Sequence, residues 1–125
     1  MPDALDGAFD AAVVARIADA EDLSVDALWD GLRAVQDAAA RHVGIDGLVY
    51  EWRTAFREDP LVARTPEAYA LLVEPRVWDD FADRCGFDDR IRGAVMAVHD
   101  AQVRRDVAAR DDELLGGEPL LLARA

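Results

Sequence analysis

The sequence predicts a mainly α fold, a compact bundle of about five helices with a minor two-stranded β element. Three observations predict it. Apolar residues recur with helical spacing along most of the 125 residues. Glycine and proline fall where those periodic stretches end. Two short apolar runs, Tyr69–Val73 and Leu120–Leu122, break the helical rhythm and read as strands that pair with each other. The length fits one domain over 1–125, and no repeat, low-complexity tract or Pro/Gly/Ser-rich linker divides it.

The first helix runs from about Gly7 to Asp22, with Phe9, Val13, Ile17 and Ala20 along one stripe. Leu23 and Ser24 interrupt it, and Ser24 is a good N-cap for the second helix, Val25 to about Val43. At 100° per residue, Val25, Leu28, Trp29, Leu32, Val35, Ala39 and Val43 share one side of that helix. Asp26, Asp30, Arg33, Asp37 and Arg41 share the other. Gly44 closes it. A third helix, Ile45 to about Arg57, buries Ile45, Leu48, Val49, Trp52 and Phe56 and stops at Asp59-Pro60.

The stretch Pro60 to Glu74 reads two ways. Thr65-Pro66-Glu67 has the form of a helix start, whereas Tyr69-Ala70-Leu71-Leu72-Val73 has that of a buried strand. The strand is favoured because Gly116-Gly117 is a turn signal before Leu120-Leu121-Leu122, which offers it a partner. Pro75 starts a fourth helix that reaches Cys85 and ends at Gly86, with Val77, Trp78, Phe81 and Cys85 inward. Asp88 caps a long last helix from Asp89 to about Asp112, whose core face is Ile91, Ala94, Val95 and Val98.

Of 65 apolar residues 24 are alanine, and the other 41 suffice for a core, which excludes a disordered chain. One cysteine permits no internal disulfide, and no Cys/His spacing of the zinc type occurs. The apolar runs are too short to cross a membrane and the acidic start is unlike a signal peptide, so a cytoplasmic protein is expected, with no membrane partner. The net charge is −12, yet all 14 basic residues are arginine, lysine and asparagine are absent, and Asp outnumbers Glu 19 to 7. This composition resembles that of proteins from salt-loving archaea. At about 1 M salt the screening length falls to roughly 3 Å, so the resemblance implies that the charge is an adaptation to solvent.

Four groups carry candidate chemistry. Arg92, His99 and Asp106, spaced by seven, form a polar seam on the last helix; a histidine there would serve as acid, base or metal ligand only with partners from elsewhere in the chain, such as His42. Tyr50, Arg53, Arg57 and Arg64 are the densest local basic set, suited to an acidic partner, a phosphate or RNA. Cys85 and the tryptophans fall on inward stripes and read as core. The corner Ile17–Arg33 resembles the helix-turn-helix of transcription regulators at Ala18, Leu23, Ser24 and Leu28, and implies a DNA-binding regulator. It departs from that pattern with Asp22 where glycine is usual, Glu21 at a normally apolar site and Gly31 near another, and its recognition face carries Asp26, Asp30 and Asp37 with only Arg33 and Arg41 to meet phosphates or guanine. A strand-helix-helix order from Tyr69 to Val103 resembles ribbon-helix-helix repressors in order alone, since its strand carries no polar side chain to read a base.

With no complete catalytic set, no metal cluster and no cofactor motif, the expected function is that of a non-enzymatic protein-interaction or regulatory module of a halophilic cytoplasm, with self-association among its modes. A DNA-binding regulator and a small enzyme or metal-binding protein built on His99 are the alternatives. An interaction module predicts an exposed apolar patch of several hundred Å².

Overall fold

The computed structural model describes residues 7–41, 44–55, 60–107 and 118–124. Among them lie five helices, α1 (Ala11–Ala20), α2 (Val25–Ala40), α3 (Gly44–Ala55), α4 (Pro75–Cys85) and α5 (Asp89–Val107). Three strands, β1 (Leu61–Arg64), β2 (Ala68–Val73) and β3 (Glu118–Ala123), complete a mainly α architecture.

The helix signals act as their chemistry demands. Asp10 accepts a hydrogen bond from the Ala12 amide and starts α1 later than periodicity alone places it. Ser24 accepts from Ala27 to start α2. Pro75 occupies the first turn of α4, and Gly86 ends it in the left-handed conformation at φ 68°. Asp88 accepts from Ile91 to open α5. The second helix stops at Ala40 rather than Val43, and Gly44, at φ 76°, already belongs to α3. The predicted ends of the third helix at Arg57 and of the last at Asp112 fall outside the described residues.

The β element has three strands in the order β1-β2-β3, all antiparallel, where two were expected. Tyr69–Val73 and Leu120–Leu122 do pair, with Leu71 opposite Leu120 and Tyr69 opposite Leu122. The addition is β1, only four residues long and bulged between Leu61 and Ala63, too short for a clear alternation. Thr65-Pro66-Glu67 is the loop of the β1-β2 hairpin and not a helix start. The Thr65 amide donates to the Ala68 carbonyl, and the Thr65 hydroxyl accepts from the Glu67 and Ala68 amides.

The core lies where the sheet meets α2, α4 and α5. Phe9, Leu28, Leu32, Trp78, Leu71 and Leu120–Leu122 are sealed from solvent, each contributing about 1.5–3 kcal/mol through burial. α2 and α5 cross closely at Gly31, where an added Cβ would lie 2.8 Å from Val95 Cγ2.

Candidate functional site

Two features of contrasting kind stand out, a strand edge closed by buried polar side chains and a groove left open beside it. The closed edge is that of β3. In an antiparallel ladder alternate residues turn their amide and carbonyl toward one neighbour. Leu120 and Leu122 face β2, so Pro119, Leu121 and Ala123 face away. Three helix side chains take those outward groups. Gln36 of α2 donates to the Leu121 carbonyl at 2.8 Å and accepts from the Ala123 amide at 2.7 Å, pairing like a further strand. His99 Nδ1 of α5 accepts from the Leu121 amide at 2.8 Å. The Trp78 indole of α4 donates to the Pro119 carbonyl at 3.2 Å.

This assigns the His99 proton to Nε2, because Nδ1 acts as acceptor. Nε2 has no hydrogen-bond partner among the described residues. Its surroundings are aromatic, with Phe9 and Trp78 edge-to-face at ring distances of 4.9 and 4.8 Å. Burial pushes the imidazole down to about 3, so His99 is neutral at physiological pH.

The Arg92–His99–Asp106 seam exists as a line but not as a cluster. Its members are about 10 Å apart along the helix axis, and each turns to a different neighbour. Arg92 binds Asp79 of α4. Asp106 accepts from Gln102, which in turn accepts from the Asp10 amide. Asp10 also pairs with Arg105, and its pKa is lowered by the Ala12 amide first and by Arg105 next. No group of three His, Cys, Asp or Glu able to hold a metal occurs among the described residues. His42 lies outside them.

The open feature is a groove of about 480 Å³ bounded by α2, α3 and α4. Ala38 and Ala39 form its floor, and Leu48 and Trp52 of α3 face Val77 and Phe81 of α4, with the Trp52 and Phe81 rings 6.4 Å apart. Glu51, Arg76, Asp80 and Arg84 rim it, two acids and two bases. Arg76 pairs with Glu74, and Arg84 pairs with Asp80 at 3.0 Å. Cys85 is half-buried, and its thiol is raised by burial, which suits an inert packing residue. The apolar surface is thus recessed rather than spread as a flat patch. Among the described residues the large apolar side chains most open to solvent, Val25, Tyr50 and Val62, sit on three different elements.

The basic set is divided. Tyr50 and Arg53 are exposed on α3 and Arg64 is exposed on β1; Arg57 lies outside the described residues. At the helix-turn-helix-like corner Ala18 and Leu28 are buried and Asp22 is at φ 56°, the left-handed conformation. Its outward face mixes Asp26, Asp30 and Asp37 with Arg33 and Arg41, and Arg33 is held by Asp30 at 3.5 Å.

The reading of residue types overlooked Gln36, although its signal is present. At 100° per residue it falls within the apolar stripe of α2, between Leu32 and Trp29, where an uncharged polar side chain must find a buried partner. Arg124, discussed below, carries no such signal, because only the β2-β3 register shows what it reaches.

Fold and site together define a helical domain built around a clamped C-terminal strand, with an apolar groove on its flank. The chain belongs to the family described as domain of unknown function DUF8048, whose pattern matches residues 7–124. No curated protein and no solved structure matches it. No helix among the described residues is long and apolar enough to cross a membrane.

Proposed function

We propose that the protein is a non-enzymatic interaction module of a salt-rich cytoplasm, and that the groove between α3 and α4 receives a second copy of the same chain. The observation that carries the reading is the groove, which leaves Trp52, Leu48 and Val77 only half-buried around an apolar floor. Its rim supports a second copy as occupant. In a chain of net charge −12 the rim is locally balanced, so two copies meet there without the repulsion the rest of the surface imposes. It is also self-complementary. α3 brings Glu51 and α4 brings Arg76 and Arg84, so a two-fold arrangement sets the acid of one copy against the bases of the other. The arginines exchange their exposed partners Glu74 and Asp80 at little cost. High salt favours the pairing by strengthening apolar burial and screening the net charge.

A charge-swap series tests this. Glu51→Arg and Arg84→Glu each weaken self-association by roughly tenfold, and the double variant recovers most of the loss. A double variant as weak as the two losses combined, or single variants with no effect, contradicts the arrangement.

A further inference from the structure

The strand register brings together two arginines that are 60 residues apart in sequence. Arg64 of β1 lies opposite Tyr69 of β2, and Tyr69 lies opposite Leu122 of β3. Cross-strand partners share a sheet face, and Arg124 follows Leu122 by two residues, so Arg64, Tyr69 and Arg124 stand on the same face at one end of the sheet. The contacts agree. The Arg124 guanidinium lies 5.2 Å from the centre of the Tyr69 ring, and its Nη1 donates to the Thr65 carbonyl at 3.0 Å. Its backbone amide is anchored on the Glu67 carbonyl at 2.8 Å. Arg64 and Arg124, with Thr65 and Pro66, line an open surface depression of about 460 Å³.

Six of the described arginines are tied to acids. Arg33, Arg76, Arg84, Arg92, Arg104 and Arg105 each hold a carboxylate. Arg64 and Arg124 form no ion pair among the described residues. The acid beside them, Asp46, accepts the Tyr69 hydroxyl proton. That bond raises the Tyr69 pKa, while both arginines act in the opposite direction. The ring and the Thr65 carbonyl fix Arg124 but use one of its five N–H donors, leaving a preorganised fork.

We infer that Arg64 and Arg124 form an oxyanion site that takes a phosphoryl group. The geometry favours phosphoryl over chloride, because two planar guanidiniums offer several directed donors that a multi-oxygen dianion satisfies and a spherical ion does not. A free phosphate ion and the phosphate of a small monoester present this same chemistry.

The test is a titration of the full-length chain with inorganic phosphate and, separately, with O-phosphoserine, at constant high chloride, followed by the NMR shifts of arginine side-chain N–H groups and of the Thr65, Glu67 and Arg124 amides. Saturable shifts at these groups are expected. Arg64→Ala, a change at an exposed side chain, weakens binding at least tenfold, and Arg64→Lys weakens it less. Arg124→Lys keeps the charge but loses the fork, and weakens binding severalfold. Saturation by O-phosphoserine alone identifies a monoester as the ligand source, and saturation by both identifies the phosphoryl group itself as sufficient. Shifts that rise linearly, appear at all arginines alike, or persist unchanged in Arg64→Ala overturn the site. Far-UV circular dichroism shows that each variant is folded, and the mass of the particle is recorded in parallel so that loss of self-association is not read as loss of the anion site.

Discussion

Two aromatic clusters share helix α4, and their surroundings treat them in opposite ways. Trp78 and Phe9 both meet His99 in a region closed to solvent, where polar groups of β3's outer edge are taken up by Gln36, His99 and Trp78. Phe81, one helical turn further on, meets Trp52 across a groove that stays open. Both clusters are apolar, but only the first carries its own complement within the chain. An unpaired sheet edge invites another chain, and here the fold closes that edge with buried side chains while leaving the neighbouring helix walls available. Changes in the closed region are therefore expected to act on folding, and changes in the groove on association.

Among substitutions the largest loss is expected from Gln36→Leu, which strands the Leu121 carbonyl and the Ala123 amide together; at 1–3 kcal/mol for each orphaned group, folding loses about 3 kcal/mol. Denaturant unfolding measures it, and a loss under about 1 kcal/mol would mean that the edge is not held this way. Next comes acid. His99 is depressed from 6.5 to about 3 in the folded chain, so the contribution of its neutral form is complete above about pH 6.5 and is lost as the pH falls toward 3. The slope is about 1.4 kcal/mol per pH unit in that window. In His99→Leu the stability at neutral pH is lower, because the Leu121 amide is orphaned, but this share of the pH slope disappears. Gly31→Ala follows, at about 1–3 kcal/mol, because the new methyl group meets Val95 at the α2-α5 crossing. The smallest effect on folding belongs to the groove rim: Arg84→Glu changes stability by no more than about 0.5 kcal/mol while weakening self-association. A comparable change in both quantities would erase the distinction between the two regions.

Helix starts and stops were the most legible part of the fold, since Ser24, Pro75, Gly86 and Asp88 act through local backbone chemistry that needs no tertiary information. The pairing of Tyr69–Val73 with Leu120–Leu122 was legible for a related reason, as continuous apolar runs belong to strands covered on both faces. Strand β1 was not, because four residues with a bulge carry too little pattern. His99 drew notice as a polar residue beside apolar stripes, but what it binds is a backbone amide 22 residues away, and no side-chain spacing encodes that. The basic set shows the same limit. Proximity in sequence grouped Arg64 with Tyr50 and Arg53, whereas the sheet register joins it to Arg124. The groove was invisible in the stripes of α3 and α4, because Trp52 and Phe81 read alike as core until the packing shows that one is sealed and the other only half covered.

The central claim is that the open groove is open for a second copy of the chain. Light scattering of the full-length protein in molar salt tests it most directly. The predicted mass is twice 13.7 kDa, falling toward the monomer on dilution, on lowering the salt, and in Trp52→Ala at a concentration where the parent chain is paired. A particle of 13.7 kDa at every salt and concentration, or a dimer that Trp52→Ala leaves intact, contradicts it.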